Sequence, residues 1–242
     1  MQKDLYSNLI QLTKNPYDTK ASRQIQRCIS EFDQGVLLTI KNYDLARGLS
    51  TQIHEQNPNN QAEKYLFNIQ GPMGRGLDVY PQGYHVAFAG GTGVLPFIDL
   101  VAYLLLRVVS EIGGVDVVGE MIKELEQQGI DTERIVDRKI DIRNFKFELY
   151  TTFASEEESI GLELIKALHD LCEKKQLETF KHFPRAKGSP RWDSPYFFSK
   201  FRELETSKAT YKKAWVCGPP MMQELFDKAI PSSRTMTVFQ VL

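Results

Sequence analysis

Hydrophobic residues in this chain fall into short continuous runs that are separated by longer stretches with helical spacing. Short continuous apolar runs are typical of strands whose two faces are both covered in a parallel sheet. Five segments have this character and predict strands, at about 86–89, 145–153, 177–183, 214–217 and 235–241. Amphipathic or apolar segments between them predict helices at 94–112, 159–174, 194–205 and 221–229. This alternation indicates the α/β class, with a five-stranded parallel sheet covered by helices.

The rest of the chain departs from this alternation. Residues 1–22 are polar and predict an N-terminal arm that is helical in part, and strands are predicted at 35–42 and 65–70. Segment 113–144 is predicted to be an insertion that carries one helix, at about 117–128. The most apolar stretch, 94–109, is interrupted by polar residues and is shorter than the roughly 20 residues of a membrane span, so it predicts a core helix.

Glycine-rich turns follow two of the predicted strands. The first turn, Gly90–Gly93, leads into a helix with Pro96 in its first turn, and the second reads Cys217-Gly-Pro-Pro-Met-Met222. Glycines allow backbone amides to approach a ligand, and a helix N-terminus attracts an anion such as a pyrophosphate. A single turn of this kind also occurs in α/β proteins that bind nothing there. Two such turns at the carboxyl ends of parallel strands, where ligands bind, predict a dinucleotide site.

Three motifs in the chain resemble those of the ferredoxin–NADP reductase superfamily, with cytochrome b5 reductases and ferric reductases as the nearest branches. They are Gly71-Pro-Met-Gly74, Gly90–Pro96 and Cys217–Met222, in the family's order, and the resemblance covers roughly residues 36–242. It implies a partial antiparallel FAD-binding β-barrel over 23–80. A Rossmann-like NAD(P)H-binding domain would follow over 81–242, with the insertion at 113–144.

The same resemblance implies roles for residues of the two glycine turns. Thr92 and Cys217 would lie beside the nicotinamide ring as the catalytic pair, with Cys217 next to the path of hydride transfer. The residues of the turns as a whole would bind the dinucleotide, namely Gly90, Gly91, Thr92, Gly93, Pro96, Cys217, Gly218, Pro219 and Met221. The residues alone leave open a plainer interpretation of Cys217, as a small buried residue that closes a strand.

The flavin half resembles the family only in part. Arg27-Cys-Ile-Ser30 corresponds to the family's Arg-x-Tyr-Ser/Thr motif, but Ile29 stands where the flavin-stacking aromatic is expected. Arg47–Thr51 resembles the later pyrophosphate-binding turn. The implied flavin-binding residues are Arg27, Ser30, Gly48, Ser50 and Thr51. Too few residues precede Arg27 for a closed barrel, so we expect another chain, a longer protein or a degenerate barrel.

The choice between NADH and NADPH depends on the end of the second strand, where the adenosine ribose is expected. Glu156–Glu158 follow that strand, and carboxylates there accept from a free 2′-hydroxyl and repel a 2′-phosphate. Glu156 is therefore predicted to contact the ribose, with NADH favoured over NADPH. The acids equally suit the first turn of the next helix. A basic loop that contains Arg185, Lys187 and Arg191 could swing in and oppose this preference.

Composition excludes several other classes. The net charge is −1, from 30 basic and 31 acidic residues, which is not the footprint of a nucleic-acid-binding domain. Three cysteines without ligand spacing predict no metal site and favour a reducing intracellular compartment, cytoplasmic or organellar.

We therefore expect a flavin-dependent oxidoreductase module without a transmembrane segment. It would bind NADH and transfer hydride to FAD, which would deliver single electrons to a heme or metal acceptor. A redox partner protein or a chain that completes the barrel is the expected partner. The alternative is a catalytically degenerate subunit of a larger complex, with a structural or NAD(H)-sensing role.

Overall fold

A computed structural model describes most of the α/β part of the chain and little of the predicted barrel. The described residues are 2–32, 51–53, 77–114, 116, 119–120, 123, 126–127, 129, 140–155, 158–185, 189, 192–229 and 238–240. The chain forms two compact units, one of Met1–Glu31 with Val79–Leu242 and one of Phe32–Asp78. In the second unit, residues 51–53 are helical, and the predicted strands at 35–42 and 65–70 lie outside the described residues.

The first unit is built on an all-parallel sheet. Its strands are β1 (Gly83–Gly90), β2 (Phe145–Thr152), β3 (Phe180–Pro184), β4 (Lys212–Cys217) and the short β5 (Val238–Gln240). They lie in the order β3-β2-β1-β4-β5, and every neighbouring pair is parallel. The α/β class and the parallel sheet are confirmed.

Helices connect the strands, as parallel pairing requires. The connecting helices are α3 (Leu95–Gly113), α4 (Leu162–Lys174), α5 (Ser194–Thr206) and α6 (Pro220–Ala229), and two further helices, α1 (Gln2–Lys14) and α2 (Thr19–Phe32), precede β1. A single 3₁₀ turn, Gly91–Val94, joins β1 to α3. In the insertion, Gly119, Glu120, Lys123, Glu126 and Gln127 are the described positions of the predicted helix, and all of them are helical.

One face of the sheet packs against α5 and α6. Alternate side chains of β1 point to this face, and Tyr84, Val86 and Phe88 join Phe197 of α5 and Phe226 of α6 in one buried cluster. The ring of Phe88 lies edge-on to that of Phe197, with 4.8 Å between centroids. The aromatic content of these segments therefore fills the layer between the sheet and two helices.

The opposite face of the sheet is covered by α3, α4 and α1. Phe97 of α3 contacts Trp215 of β4, with 6.1 Å between ring centroids. Helix α1 contacts both α3 and α4 and buries Leu9 and Leu12 almost completely. Residues 1–22 therefore belong to the first unit as packed helices, and they do not form a separate arm. Their few apolar residues are spaced so that they share one helix face.

Helix α3 with its preceding turn, Gly91–Gly113, has the length and the mean hydropathy (1.8) of a membrane span. Of its most apolar window, 61% is buried inside the protein. Because α3 contacts α1 and α4 and lines the sheet, its apolar residues are used in the core of the first unit.

Candidate functional site

The two glycine turns lie side by side at the carboxyl edge of the sheet. β1 and β4 are neighbours, and Ala89 pairs in register with Cys217, so that both strands end at the same level. From β1 the chain builds the sheet outward through β2 and β3, and then returns to place β4 on the other side of β1. In an open α/β sheet, the crevice at such a reversal of strand order is the place where ligands bind.

The two turns are in direct backbone contact. A Cβ atom on Gly93 would overlap the carbonyl group of Cys217 and would lie 2.9 Å from the nitrogen of Gly218. A Cβ on Gly218 would lie 3.2 Å from the nitrogen of Gly90. Glycine is required at Gly93, where a side chain would clash with backbone, whereas a Cβ at Gly218 would be tight against Gly90. The first role of these glycines is to bring the ends of β1 and β4 together.

Gly91 differs from the other glycines of the site. Its φ is +56°, a left-handed conformation that disfavours side chains, and no atom of the described residues lies within 4 Å of the position of a Cβ. Gly91 and Thr92 are partly exposed. Neither the 3₁₀ turn nor α3 has a side-chain N-cap, and the first turn of α3 contains no acidic residue. The exposed part of this helix start is thus the backbone of Gly91 and Thr92, because Gly93 and Val94 are buried and the Leu95 amide donates to the Thr92 carbonyl.

The β4 side of the site is partly filled. The Met222 sulfur would lie 2.8 Å from a Cβ on Gly218 and 3.3 Å from one on Gly90. This side chain therefore packs against both glycine turns from the side of α6. Met221 is 61% exposed, and Gly218 and Pro219 are also exposed. The described residues therefore leave space beside Gly91, whereas the Met222 side chain packs against Gly90 and Gly218 on the side of α6.

Cys217 ends β4 as a buried residue with 8% exposure. Burial raises the pKa of its thiol above the ordinary value, so the group is neutral at pH 7. A neutral thiol next to the crevice is suited to contact an uncharged ring and is not activated as a nucleophile. This geometry agrees with a positioning role and equally with the plainer role of a residue that closes the strand.

Of the predicted flavin residues, the structure describes Arg27 and Ser30 in the first unit and Thr51 in the second. Arg27 is exposed on helix α2, and Ser30 lies in the same helix. The predicted barrel is thus wrong over residues 23–32, where the spacing of Ala21 and Ile25, both buried, is helical. Thr51 lies in the helical turn 51–53, whereas Gly48, Ser50 and Glu156 lie outside the described residues.

A basic side chain, Arg185, lies at the end of β2. Arg185 follows β3, and its backbone N–H donates to the carbonyl of Thr151 at 2.8 Å. Its Nη1 donates to the Thr152 hydroxyl at 3.2 Å, and its Nη2 donates to the carbonyl of Ser189. Arg185, which the sequence analysis assigned to a basic loop opposing the NADH preference, therefore contacts the last residue of β2. The signal was the position of Arg185 directly after a strand that pairs with β2.

A second polar cluster lies at the opposite, amino edge of the sheet. His85 and Lys213 are fully buried, and the His85 ring stacks on Phe145 with 4.5 Å between centroids. The Lys213 ammonium lies 4.9 Å from the centre of the Tyr80 ring. Burial, and secondarily the charge of Lys213, lowers the pKa of His85 to about 4. Aromatic rings fill this edge, so the cluster is a packed part of the core.

Comparison with known proteins adds no family assignment. No protein-family model matches the chain, and no curated protein matches it either. The class that the fold defines is an α/β protein with an all-parallel sheet and two glycine turns in contact where the strand order reverses.

Proposed function

We propose that the crevice between β1 and β4 binds a reduced nicotinamide dinucleotide, and that the chain is a flavin-dependent oxidoreductase module of the ferredoxin–NADP reductase type. A single observation carries this proposal: two glycine turns, separated by more than a hundred residues, touch at the reversal point of the strand order. Such a crevice is where dinucleotides bind across open parallel sheets.

The contacts of the site divide the work among its residues. The partly exposed backbone of Gly91 and Thr92, at the positive end of α3, would bind the pyrophosphate, which needs donors and a positive field. Thr92 and the neutral Cys217 thiol would hold the nicotinamide ring in place. When bound, the dinucleotide supplies a hydride for FAD, which would release electrons singly to a heme or metal acceptor. The remaining demand on the protein is positioning.

The alternative, a structural or NAD(H)-sensing subunit of a larger complex, is favoured by one observation. Arg27 and Ser30, the residues that resemble the flavin motif, lie in helix α2. A helix places them differently from a barrel strand, which weakens the case for a flavin site at this segment. The dinucleotide crevice does not depend on that segment.

The colour of the purified chain separates the two functions. An oxidoreductase is expected to be yellow, with flavin absorption that bleaches when NADH is added without oxygen. A colourless chain that binds NADH in a calorimetric titration would support the sensing role and contradict the oxidoreductase. A chain that binds no dinucleotide would contradict both.

A matched pair of glycine substitutions tests the location of the site. Gly91 and Gly114 stand near opposite ends of α3, with φ of +56° and +64°, and neither has an atom within 4 Å of its Cβ position. Valine at either place should cost similar backbone strain. Gly91→Val should weaken dinucleotide binding at least about tenfold, a loss of about 1.4 kcal/mol, because the side chain fills the phosphate position. Gly114→Val should leave the affinity unchanged, and an equal loss in both variants would refute the placement.

A further inference from the structure

We infer that Arg185 makes this crevice selective for a 2′-phosphorylated dinucleotide, so that NADPH binds in preference to NADH. The inference rests on the proposed function and reverses the preference that the acidic segment 156–158 predicts. It assigns a specificity-determining role to a residue at the carboxyl end of the sheet.

The register of the sheet brings Arg185 to the expected ribose position. Thr152, the last residue of β2, pairs with Gly90, the residue that opens the first glycine turn. Neighbouring strands lie about 4.8 Å apart. A dinucleotide with its pyrophosphate at Gly91 therefore has its adenosine ribose over the end of β2. Arg185 contacts the side chain of Thr152 there, with 3.2 Å between Nη1 and the hydroxyl oxygen.

The guanidinium is held in place at that point. Its Nη1 bonds to the Thr152 hydroxyl and its Nη2 to the Ser189 carbonyl, while the backbone of the same residue continues the β2–β3 ladder through Thr151. Arg185 is only partly exposed. A planar guanidinium with several donors suits a phosphate group, and an arginine near the ribose is the usual means of accepting a 2′-phosphate.

An exposed aromatic ring lies on the same side of the sheet as Arg185. Phe183 is 39% exposed and precedes Arg185 by two residues, so the two side chains share a face of the strand. Its ring stacks on Tyr150, with 4.7 Å between centroids. Aromatic faces of this kind pack against nucleobases, so the strand end offers a surface for adenine next to a donor for phosphate.

Glu158, the described acidic residue of the segment after β2, opposes this selectivity only weakly. Glu158 is exposed, and the charge of an exposed carboxylate is screened by solvent and salt. Arg185, in contrast, is partly buried and its donors are fixed by two hydrogen bonds. A direct charge-assisted hydrogen bond should therefore outweigh a screened repulsion.

Calorimetric titration of the full chain with NADPH and with NADH tests the inference. We expect NADPH to bind at least about tenfold more tightly. Arg185→Gln should weaken NADPH binding about 10- to 100-fold and change NADH binding less than about threefold. Arg202→Gln is the control, since Arg202 is an exposed arginine whose guanidinium lies 5.7 Å from the Phe198 ring centre, on α5.

The outcomes distinguish this inference from the proposed function. NADH that binds as tightly as NADPH would overturn the selectivity and leave the dinucleotide site intact, as would an equal loss of both ligands in Arg185→Gln. Binding of neither ligand to the unmodified chain would overturn the proposed function as well. If Arg185→Gln does not fold, Arg185→Lys serves instead: it keeps the charge without the planar fork, and NADPH alone should lose affinity.

Discussion

Helices α3 and α5 begin at the same edge of the sheet, but their first turns are built differently. At α5, the carboxylate of Asp193 accepts a hydrogen bond from the backbone nitrogen of Tyr196 at 2.9 Å, which caps the helix. At α3, Val94 provides no side-chain cap, and the preceding turn is rich in glycine. Helix α4 is intermediate, since Gly161 gives it no side-chain cap but Glu163 lies in its first turn.

This difference shows which helix start is complete without a ligand. The capped start of α5 and the acidic start of α4 have their own negative charge near the positive end of the dipole. Of these three described helices, α3 alone has neither, and it is the one that begins at the reversal of strand order. The amides of an uncapped helix start need water or a ligand as partners. The difference supports the proposal that the start of α3 is the anion-binding end.

Gly93→Ala, in the turn that leads into α3, should lower the stability of the protein more than the other single substitutions. The new Cβ would meet the carbonyl of Cys217, which is backbone and cannot move aside. We expect the free energy of unfolding to fall by about 3 kcal/mol, measured by urea denaturation. Gly91→Ala, two residues earlier and in open space, is the control and should cost about 1 kcal/mol for its positive φ. Equal losses would show that the contact between the turns is not tight.

The stability of the fold on which the helix starts depend should itself change with pH. Burial lowers the pKa of both His85 and His182 to about 4, from an ordinary value of 6.5. The folded chain therefore holds the neutral rings, and the unfolded chain takes up protons first as the pH falls. Stability is fully present above about pH 6.5 and is lost progressively toward pH 4, by about 2 kcal/mol per histidine between pH 7 and 5.

Urea denaturation at pH 7 and pH 5 measures this loss. His85→Phe removes one titrating ring in a site that is already aromatic, so it should remove about half of the pH dependence. Unchanged pH dependence in this variant would contradict the assignment to His85. Binding to the α3 start is best compared with the other starts at pH 7 or above.

Asp193→Ala should make the start of α5 resemble that of α3. Loss of the cap is expected to lower the free energy of unfolding by about 1 kcal/mol. Dinucleotide affinity should not change, because the amide freed at Tyr196 is not at the strand reversal. Asp193→Asn keeps an acceptor oxygen and should restore most of the stability. A new anion site at α5 would show that an uncapped start is sufficient by itself.

Glu163→Gln should have the smallest effect. Removal of the charge near the start of α4 is expected to cost about 0.5 kcal/mol at low salt and less at high salt, where the dipole interaction is screened. Glu173→Gln, in the same helix near its C-terminus, should cost nothing through the dipole, since an acid there is unfavourable. Equal costs in the two variants would argue against a dipole effect.

Most of the α/β fold was predictable because local pattern and tertiary context agree. The run 86–89 is apolar on both faces, and β1 is buried along its whole length. The glycine turns were also visible, because a helix start after a short apolar strand has a recognisable composition. Their contact was predictable only in outline, since the overlap of Gly93 with Cys217 depends on the register between β1 and β4.

Other features depend on contacts that the sequence does not express. The predicted third strand ended at residue 183, so Arg185 was assigned to a loop, whereas its backbone continues the pairing with β2. The segment 1–22 has few apolar residues. Only its packing on α3 and α4 shows that Leu9 and Leu12 belong to the core.

The first unit is discontinuous, and this has a consequence for how it is made. During synthesis α1 emerges before α3 and α4. The face of α1 that carries Leu9 and Leu12 therefore remains exposed to solvent until both later helices have been translated. Residues 32–78 are translated between the two parts of the first unit, so this whole segment must be synthesised before those parts can meet. Packing of the early helices on the sheet layer is thus a late event. A ribosome-bound intermediate would expose an apolar helix face to which a chaperone could bind.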